Sequence, residues 1–283
     1  MPHVGEIFSI FVTPRAFACD RLNNLTMKKL LLLAALFTVA TFSSCEHAIT
    51  VKTPGTLSQL LTDYDTTEIT ELIVVGNLND EDIEALNDLP NLSILNMKNV
   101  KLKVLSAEAF AENESLTSVK LPRTLTSIRE CAFDGCESLT SITIPNSVKS
   151  IGEGVFGGCR GLTSITLPNS VKSIGKGAFC KCKGLISITI SNNVTSIGDE
   201  TFYLCHSLTS VTIPDGVTTI GDSAFKDCSS LTSVYCKVQT PPWVGNMAFW
   251  NVSATLYVPI GRKEAYAAAD EWKNFQTIEE VEF

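Results

Sequence analysis

The sequence predicts a repeat solenoid, a superhelix of short β-strands and irregular turns with small helical caps. Five cysteines recur every 23 residues, at Cys136, Cys159, Cys182, Cys205 and Cys228. Leucines with the same spacing open segments that read alike, such as LTSITIP from Leu139 and LTSITLP from Leu162. A fixed period of this length indicates that each repeat forms one turn stacked on the turn before it.

The first half of each repeat predicts a strand. β-Branched apolar residues alternate with serine and threonine, as at Ser164, Ile165 and Thr166, and such alternation is typical of a short, half-buried strand. Proline cannot donate a hydrogen bond to a neighbouring strand, so it ends the strand in most repeats. These residues are Pro122, Pro145, Pro168 and Pro214, with Ser191 in the same place in one repeat.

The second half of each repeat predicts the core. A phenylalanine stands three residues before each recurring cysteine, at Phe133, Phe156, Phe179, Phe202 and Phe225. Turns that repeat in register place equivalent residues over one another, so each column becomes a buried ladder of identical side chains. We interpret the five cysteines as free thiols in such a ladder. Disulfides or a metal site are the alternatives, although parallel side-chain vectors do not converge as a disulfide requires.

The pattern weakens towards both ends, and about seven turns are expected. The repeats are predicted at residues 92–254, between an N-terminal cap with a first irregular repeat at 45–91 and a C-terminal cap with a helix at 255–283. Caps are needed because the open ends of a solenoid expose its core.

Apolar spacing predicts three short cap helices. They are expected at residues 56–64, at 79–86 with Asn79 as the N-cap, and at 261–272. On the last helix, the residues expected to face the final turn are Ala265, Ala268, Ala269 and Trp272.

Two tryptophans, Trp243 and Trp250, stand in the irregular last turn after Pro241 and Pro242. Large aromatic side chains suit the open end of a core, and we predict that both plug it. Binding of a sugar is the alternative.

An export signal precedes the repeats. Residues 27–45 read MKKLLLLAALFTVATFSSC, with two lysines and an apolar run before the cysteine, which is typical of a signal peptide and too short to span a membrane. The end of this segment resembles a bacterial lipobox, so we expect a lipoprotein signal peptide at 27–44 and a lipid anchor on Cys45. Cleavage nearby by the ordinary signal peptidase is the alternative. Residues 1–26 are interpreted as a mis-assigned upstream extension, or alternatively as a cytoplasmic head.

Charge and motif content argue against several functions. The formal net charge is −8, and removing residues 1–44, which carry +2, leaves −10. An acidic surface repels phosphate backbones, so nucleic-acid binding is not expected. Only His47 and His206 follow Cys45, and there is no nucleophile motif, P-loop or zinc-ligand spacing. We therefore expect no enzyme activity, no cofactor and no metal site.

One face of the predicted strands is a candidate binding surface. Outward serines and threonines would form a flat ladder of hydroxyl groups, suited to a repeating polymer such as a glycan or an extended peptide. The alternative is that these residues only provide β-propensity and solubility. The candidate residues are Ser141, Thr143, Ser164, Thr166, Ser187, Thr189, Ser210 and Thr212.

A second outward row is basic. It includes Lys149 and Lys172, beside Lys176, Lys181 and Lys183. We interpret it as a solvated face, with contact to an acidic partner as the alternative.

The repeat L-x-x-[IV]-x-[IL]-P-x-x-[VL]-x-x-I-G-x-x-x-F-x-x-C resembles the BspA-like leucine-rich repeat family of bacterial surface proteins, over residues 92–250. The resemblance implies a right-handed leucine-rich-repeat superhelix displayed at the cell surface or outer membrane. It also implies adhesion, or binding of host or neighbour macromolecules. A glycan- or peptide-capturing accessory protein of a nutrient-uptake system is the alternative. Because a fold does not carry its ligand with it, the partner itself is not implied.

Overall fold

The computed structural model describes residues 47–283, which form a parallel β-solenoid of about 10 turns. The fold class predicted from the repeat is confirmed. The predicted signal peptide, Cys45 and the upstream extension lie outside the described residues. Within residues 47–283, no helix is long and apolar enough to cross a membrane.

Short strands and a few small helices make up the solenoid. The helices are α1 (Leu57–Leu61), α2 (Asp80–Asn87), α3 (Lys263–Ala268) and a 3-10 helix (Trp272–Asn274). The strands are β1 (His47–Val51), β2 (Glu71–Asn77), β3 (Ile94–Lys101), β4 (Val104–Leu105), β5 (Ser118–Lys120), β6 (Ser127–Ile128), β7 (Ser141–Thr143), β8 (Ser150–Ile151), β9 (Ser164–Thr166), β10 (Ser173–Ile174), β11 (Ser187–Thr189), β12 (Ser196–Ile197), β13 (Ser210–Ile213), β14 (Thr219–Ile220), β15 (Ser233–Cys236), β16 (Trp243–Val244), β17 (Thr255–Pro259) and β18 (Thr277–Val281).

Most turns contribute one strand to each of two faces. The strand face is a five-stranded sheet, β1-β2-β3-β5-β7, followed by a six-stranded sheet with strand order β18-β17-β15-β13-β11-β9. The second face is a seven-stranded sheet of the even-numbered strands from β4 to β16. The third side, called the turn face, carries the phenylalanine and cysteine of each repeat. Its turns also bond to one another, since Phe133 N donates to Val155 O at 2.9 Å.

The register places equivalent residues of successive turns side by side, as the repeat predicts. Ser187 pairs with Ser164 on the strand face, and Ser173 pairs with Ser150 on the second face. The phenylalanine column is a continuous stack, with ring centroids 5.4 Å apart between Phe156 and Phe179. The stack continues from the five central members to Phe110 at one end and Phe249 at the other. All the rings between these two ends are fully buried.

The solenoid is longer than the seven turns expected from the sequence. β2 belongs to the irregular first repeat that the sequence predicts, whereas β1 adds a parallel strand before it, and β17 and β18 add two after the last repeat. The turns of β1, β17 and β18 lack the cysteine column and lie in segments predicted as caps, so the periodicity does not reveal them. The same apolar alternation still buries their inward residues, such as Leu256.

A carboxylate holds the N-terminal cap together. Asn79 caps α2 as predicted, and the Asp82 side chain completes a capping box with it. Asp82 is 1 % exposed, and its carboxylate also accepts hydrogen bonds from Gly55 N at 2.8 Å and Leu57 N at 2.9 Å. One buried side chain therefore joins the chain entering α1 to the start of α2.

The C-terminal plug differs from the prediction. Trp243 and Trp250 are 62 % and 59 % exposed, so the prediction that they close the core is wrong. Trp243 aligns with Thr219 at an outward position of the second face, while Val244 points inward. Tyr266 and Trp272 close the core instead, with the Trp272 ring 5.4 Å from that of Phe249.

The last helix is also shorter than expected, and of the four residues predicted to face the final turn only Trp272, in the following 3-10 helix, is fully buried. Helix α3 spans Lys263–Ala268 and turns Tyr266 inward, while Ala265 and Ala268 are exposed. The Tyr266 hydroxyl donates to Val238 O at 2.7 Å, which satisfies its polar end inside the core. The tyrosine ring covers more of the apolar surface at the end of the solenoid than alanine would, and its hydroxyl remains hydrogen-bonded there.

Candidate functional site

The candidate hydroxyl ladder lies on the outer side of the strand face. Its members alternate with buried residues such as Ile165 and Val211, because successive side chains of a strand point to opposite sides. Ser210 is half-buried and the other seven are exposed. The predicted residues are thus brought together in two parallel columns.

Most of these hydroxyls have no partner within the protein. Ser141 Oγ donates to Ser118 Oγ at 3.2 Å. The other seven side chains make no hydrogen bond to any residue of 47–283. They are free to bind an external group.

Most hydroxyls of a neighbouring threonine column are already hydrogen-bonded within the protein, which the sequence did not reveal. The column stands one position before the strands, and Thr140 Oγ1 donates to Thr117 O at 3.0 Å. Thr209 and Thr232 donate to the preceding turn in the same way. The sequence position of these threonines could have indicated the hydrogen bonds, because a hydroxyl just before a strand can reach the carbonyl of the preceding turn.

Bulkier residues bound the ladder at both ends. Lys120 precedes Thr143 in the threonine column. At the other end, Tyr235 pairs with Thr212 and stacks on Tyr257, with ring centroids 4.6 Å apart. The surface between these ends is uncharged.

The cysteine ladder is buried and structural in form. All eight cysteines of residues 47–283 are free thiols. The five recurring ones have no exposed surface. Each Sγ donates to the carbonyl of the phenylalanine 26 residues earlier, for example Cys182 to Phe156 O at 2.9 Å. Burial raises the pKa of Cys136 and Cys228 to about 12 and raises those of the other three still further from the ordinary range.

No catalytic grouping is evident in the described part of the chain. His47 lies in β1 beside Tyr64, and His206 lies in a turn of the repeat region, so the two histidines belong to distant turns. Residues 47–283 contain no cluster of three or more side chains able to hold a metal ion.

A shallow cavity of about 210 Å³ opens on the turn face, where its lining includes Gly154, Gly157, Gly158 and Gly177. Its lining includes Cys131, Cys180, Lys176 and Lys181. Burial raises the pKa of both thiols. Neither thiol therefore has the lowered pKa of an activated cysteine nucleophile. Two of the predicted basic residues lie here, while Lys149, Lys172 and Lys183 are exposed elsewhere.

Comparison with known proteins identifies the repeat. A family model described as the BspA type leucine-rich repeat region matches residues 103–232, in 6 copies. Residues 103–232 are a BspA-type leucine-rich repeat region. Repeat solenoids of this family serve in general as binding scaffolds.

Solved structures of bacterial leucine-rich repeat proteins are similar to the chain. A leucine-rich repeat protein of T. pallidum matches with a TM-score of 0.54 and 28% identity, covering 58% of this chain and 77% of its own. A leucine-rich cell surface protein of Faecalibacterium prausnitzii matches at 0.40 and 19%, covering 84% and 79%. The pneumococcal vaccine antigen PcpA matches at 0.43 and 15%, covering 84% and 68%. No curated protein matches the chain.

Proposed function

We propose that this BspA-type leucine-rich repeat protein is a surface-exposed, non-enzymatic lipoprotein that binds a macromolecular partner. The observation that carries the proposal is the array of free hydroxyl groups on the strand face. Seven of the eight hydroxyls form no hydrogen bond within residues 47–283. They can therefore exchange water for a partner's donors and acceptors with little reorganisation.

The form of the array favours a long partner. Strands repeat about every 4.8 Å, so each column offers equivalent hydroxyls at that interval along the axis. A flat, uncharged, regular surface suits an extended chain that meets several turns at once. An adhesive contact with a host or neighbouring-cell macromolecule fits these requirements.

Display at the surface rests on the front of the chain and on the family. The lysines, apolar run and Cys45 lie outside the described residues but read as a lipoprotein signal. One acyl chain gives marginal membrane attachment, whereas the several chains of a bacterial lipoprotein terminus hold firmly. The F. prausnitzii relative is described as a cell surface protein. We infer attachment to the outer membrane or cell surface with the solenoid facing outward.

Blocking the strand face tests the binding surface. The double variant Thr166→Lys, Thr189→Lys places long charged side chains on the array. Its capture of extracellular-matrix proteins and of whole cells should fall at least tenfold. The matched control Asn169→Lys adds a charge at an exposed turn residue and should bind as the unmodified protein does. Equal capture by all three proteins would remove the strand face from the proposal.

The anchor is tested separately. Cys45→Ala should release the protein from membranes or leave an unprocessed precursor, with the fold of residues 47–283 unchanged. Metabolic labelling with a clickable fatty acid should mark the unmodified protein alone. Unlabelled wild type would show that the attachment is not a lipid.

A second candidate is a glycan- or peptide-capturing accessory protein of a nutrient-uptake system. The regular hydroxyl spacing favours it, because polysaccharides present regular hydroxyls of their own. Binding on a glycan array without binding to matrix proteins would support this function over adhesion.

A further inference from the structure

The second face carries its own row of free hydroxyls. The outward positions of β6, β8, β10, β12 and β14 pair in register from one turn to the next. None of these hydroxyls bonds to another residue of 47–283. The row consists of Ser127, Ser150, Ser173, Ser196 and Thr219.

An exposed tryptophan ends this row. Trp243 pairs with Thr219, and β16 is the terminal strand of its sheet, so no further strand covers that side of the ring. The side chain is 62 % exposed. This arrangement suits a sugar ring. The exposed aromatic ring can pack against the apolar face of the sugar, while the neighbouring hydroxyls form hydrogen bonds with the sugar's own hydroxyl groups.

A column of lysines borders the row. Lys103, Lys149 and Lys172 are equivalent residues of the repeat, and Lys149 and Lys172 immediately precede Ser150 and Ser173. All three lysines are exposed, and none forms an ion pair with another residue of 47–283. Lys149 and Lys172 stand in successive turns, where like charges repel. An anionic ligand would relieve that repulsion.

The other side of the row is flat and then charged. Glycine follows most of the inward isoleucines, because the turns are too close there for a side chain. A Cβ atom added at Gly175 would lie 2.6 Å from the backbone carbonyl carbon of Gly152. Beyond them, Asp199 and Asp222 are exposed, and each accepts a hydrogen bond from the backbone of the next turn. Asp199 and Asp222 share their column with Glu153 and Lys176, so that edge carries mixed charge, and Lys149 and Lys172 place an anionic chain on the opposite edge.

We propose that the second face binds an acidic polysaccharide, a sugar chain that carries carboxylate or sulfate groups. The chain lies along the axis, with its hydroxyls on the serine row, its anionic groups at the lysines and one sugar ring against Trp243. The turn spacing of about 4.8 Å is close to the length of one pyranose unit in an extended chain. This site is separate from the strand face and does not depend on the function proposed for it.

Binding of defined polymers to the purified full-length protein tests this inference. The probes are polygalacturonate, chondroitin sulfate, a neutral β-1,4-glucan of matched length and single-stranded DNA. We expect binding to at least one of the two acidic glycans, weakening as salt screens the lysines. Trp243→Ala should weaken it about tenfold, equivalent to about 1.4 kcal/mol, and Lys149→Glu with Lys172→Glu should abolish it.

Matched variants separate this site from others. Trp250→Ala removes an equally exposed tryptophan from the turn face and should leave binding unchanged. The strand-face variant Thr166→Lys, Thr189→Lys should also bind normally, so failure of the two proposals is distinguishable. An unchanged melting temperature for Trp243→Ala, and partial retention of binding by Trp243→Phe, would show that the ring itself is needed. The inference is overturned if neither acidic glycan binds, if the neutral glucan or the DNA binds as tightly, or if Trp250→Ala causes the same loss.

Discussion

Each ladder cysteine has two roles that a single side chain seldom combines. It fills a space where the core admits only a small residue, and its thiol satisfies a buried carbonyl of the preceding turn. Cys205 Sγ lies 3.1 Å from Phe179 O, a carbonyl that water does not reach. Cys182 N also donates to this carbonyl at 3.2 Å. Alanine would therefore fill less space and remove one of the carbonyl's two hydrogen bonds, whereas serine keeps a donor at the same place.

The phenylalanine stack is expected to carry much of the stability of the central turns. Phe179→Ala removes a ring packed between Phe156 and Phe202, and the free energy of unfolding should fall by about 3–5 kcal/mol. Thr166→Ala, at an exposed position, should change it by less than about 1 kcal/mol. Urea denaturation measures both. Similar losses for the two variants would contradict the assigned register.

Some residue-scale features follow from the sequence and others do not. The period identifies Phe179 and Cys182 as core because a column repeated in register has one environment. The thiol donor is not visible in the sequence, since it depends on a carbonyl 26 residues away. The prediction that Trp243 is buried rested on its hydrophobicity alone. Its pairing with Thr219 places it instead at an outward position of the strand.

As an element, the cysteine ladder makes stability depend on pH. The folded-state pKa of each thiol lies above the unfolded value of about 9, and reaches about 12 at Cys136. The folded protein therefore holds more protons than the unfolded chain in this range. The ladder's contribution is complete below about pH 9 and is lost as pH rises towards 12, by about 1.4 kcal/mol per thiol per pH unit.

Cys182→Ser isolates this effect. Serine does not ionise in this range and keeps a hydroxyl donor. Between pH 9 and 11 the free energy of unfolding of the variant should fall less steeply than that of the unmodified protein, by about 1.4 kcal/mol per pH unit. Tyrosines and lysines titrate in both proteins and cancel in the comparison. Parallel curves would show that the buried thiol does not ionise on unfolding.

The N-terminal cap depends on one carboxylate. Asp82→Ala leaves three backbone donors without their acceptor, at Gly55, Leu57 and Asn79, and should lower the free energy of unfolding by about 3 kcal/mol. Asn79→Ala removes only a helix cap and should cost about 1 kcal/mol. Denaturation followed by circular dichroism compares the two. A smaller loss for Asp82→Ala would place the strength of the cap elsewhere.

Across the whole molecule, the sequence predicts the middle better than the ends. Central turns share one pattern, so the columns identify strands, core and outer faces together. The end turns pack against a cap on one side, and the side chains that cover the core there differ from those of the repeat. Helical spacing predicts that Trp272 faces the final turn. It does not predict Tyr266, or the contacts with Val238 and Pro242 through which the two rings close the C-terminal end. The candidate surface follows from strand alternation, but which hydroxyls are free depends on the path of the turns.

Thiol labelling of the whole protein should divide its cysteines into two sets. Cys131 and Cys180, partly exposed on the turn face, should react first in native protein. The five ladder cysteines and Cys236, all buried, should react only after unfolding. Intact mass should show no loss of two hydrogens in residues 47–283. Early labelling of Cys159 would place the ladder nearer the surface.

The stack of turns also determines how the molecule would respond to force. Each turn contacts mainly its two neighbours, and the bonds between turns run along the axis. A pull applied at the two ends loads these bonds in series, so the end turns detach one at a time while the rest stays folded. Every 23-residue turn released adds up to about 80 Å of extended chain. A tether of this construction lengthens under load and absorbs a sudden tug gradually, which favours an attachment that must survive flowing fluid.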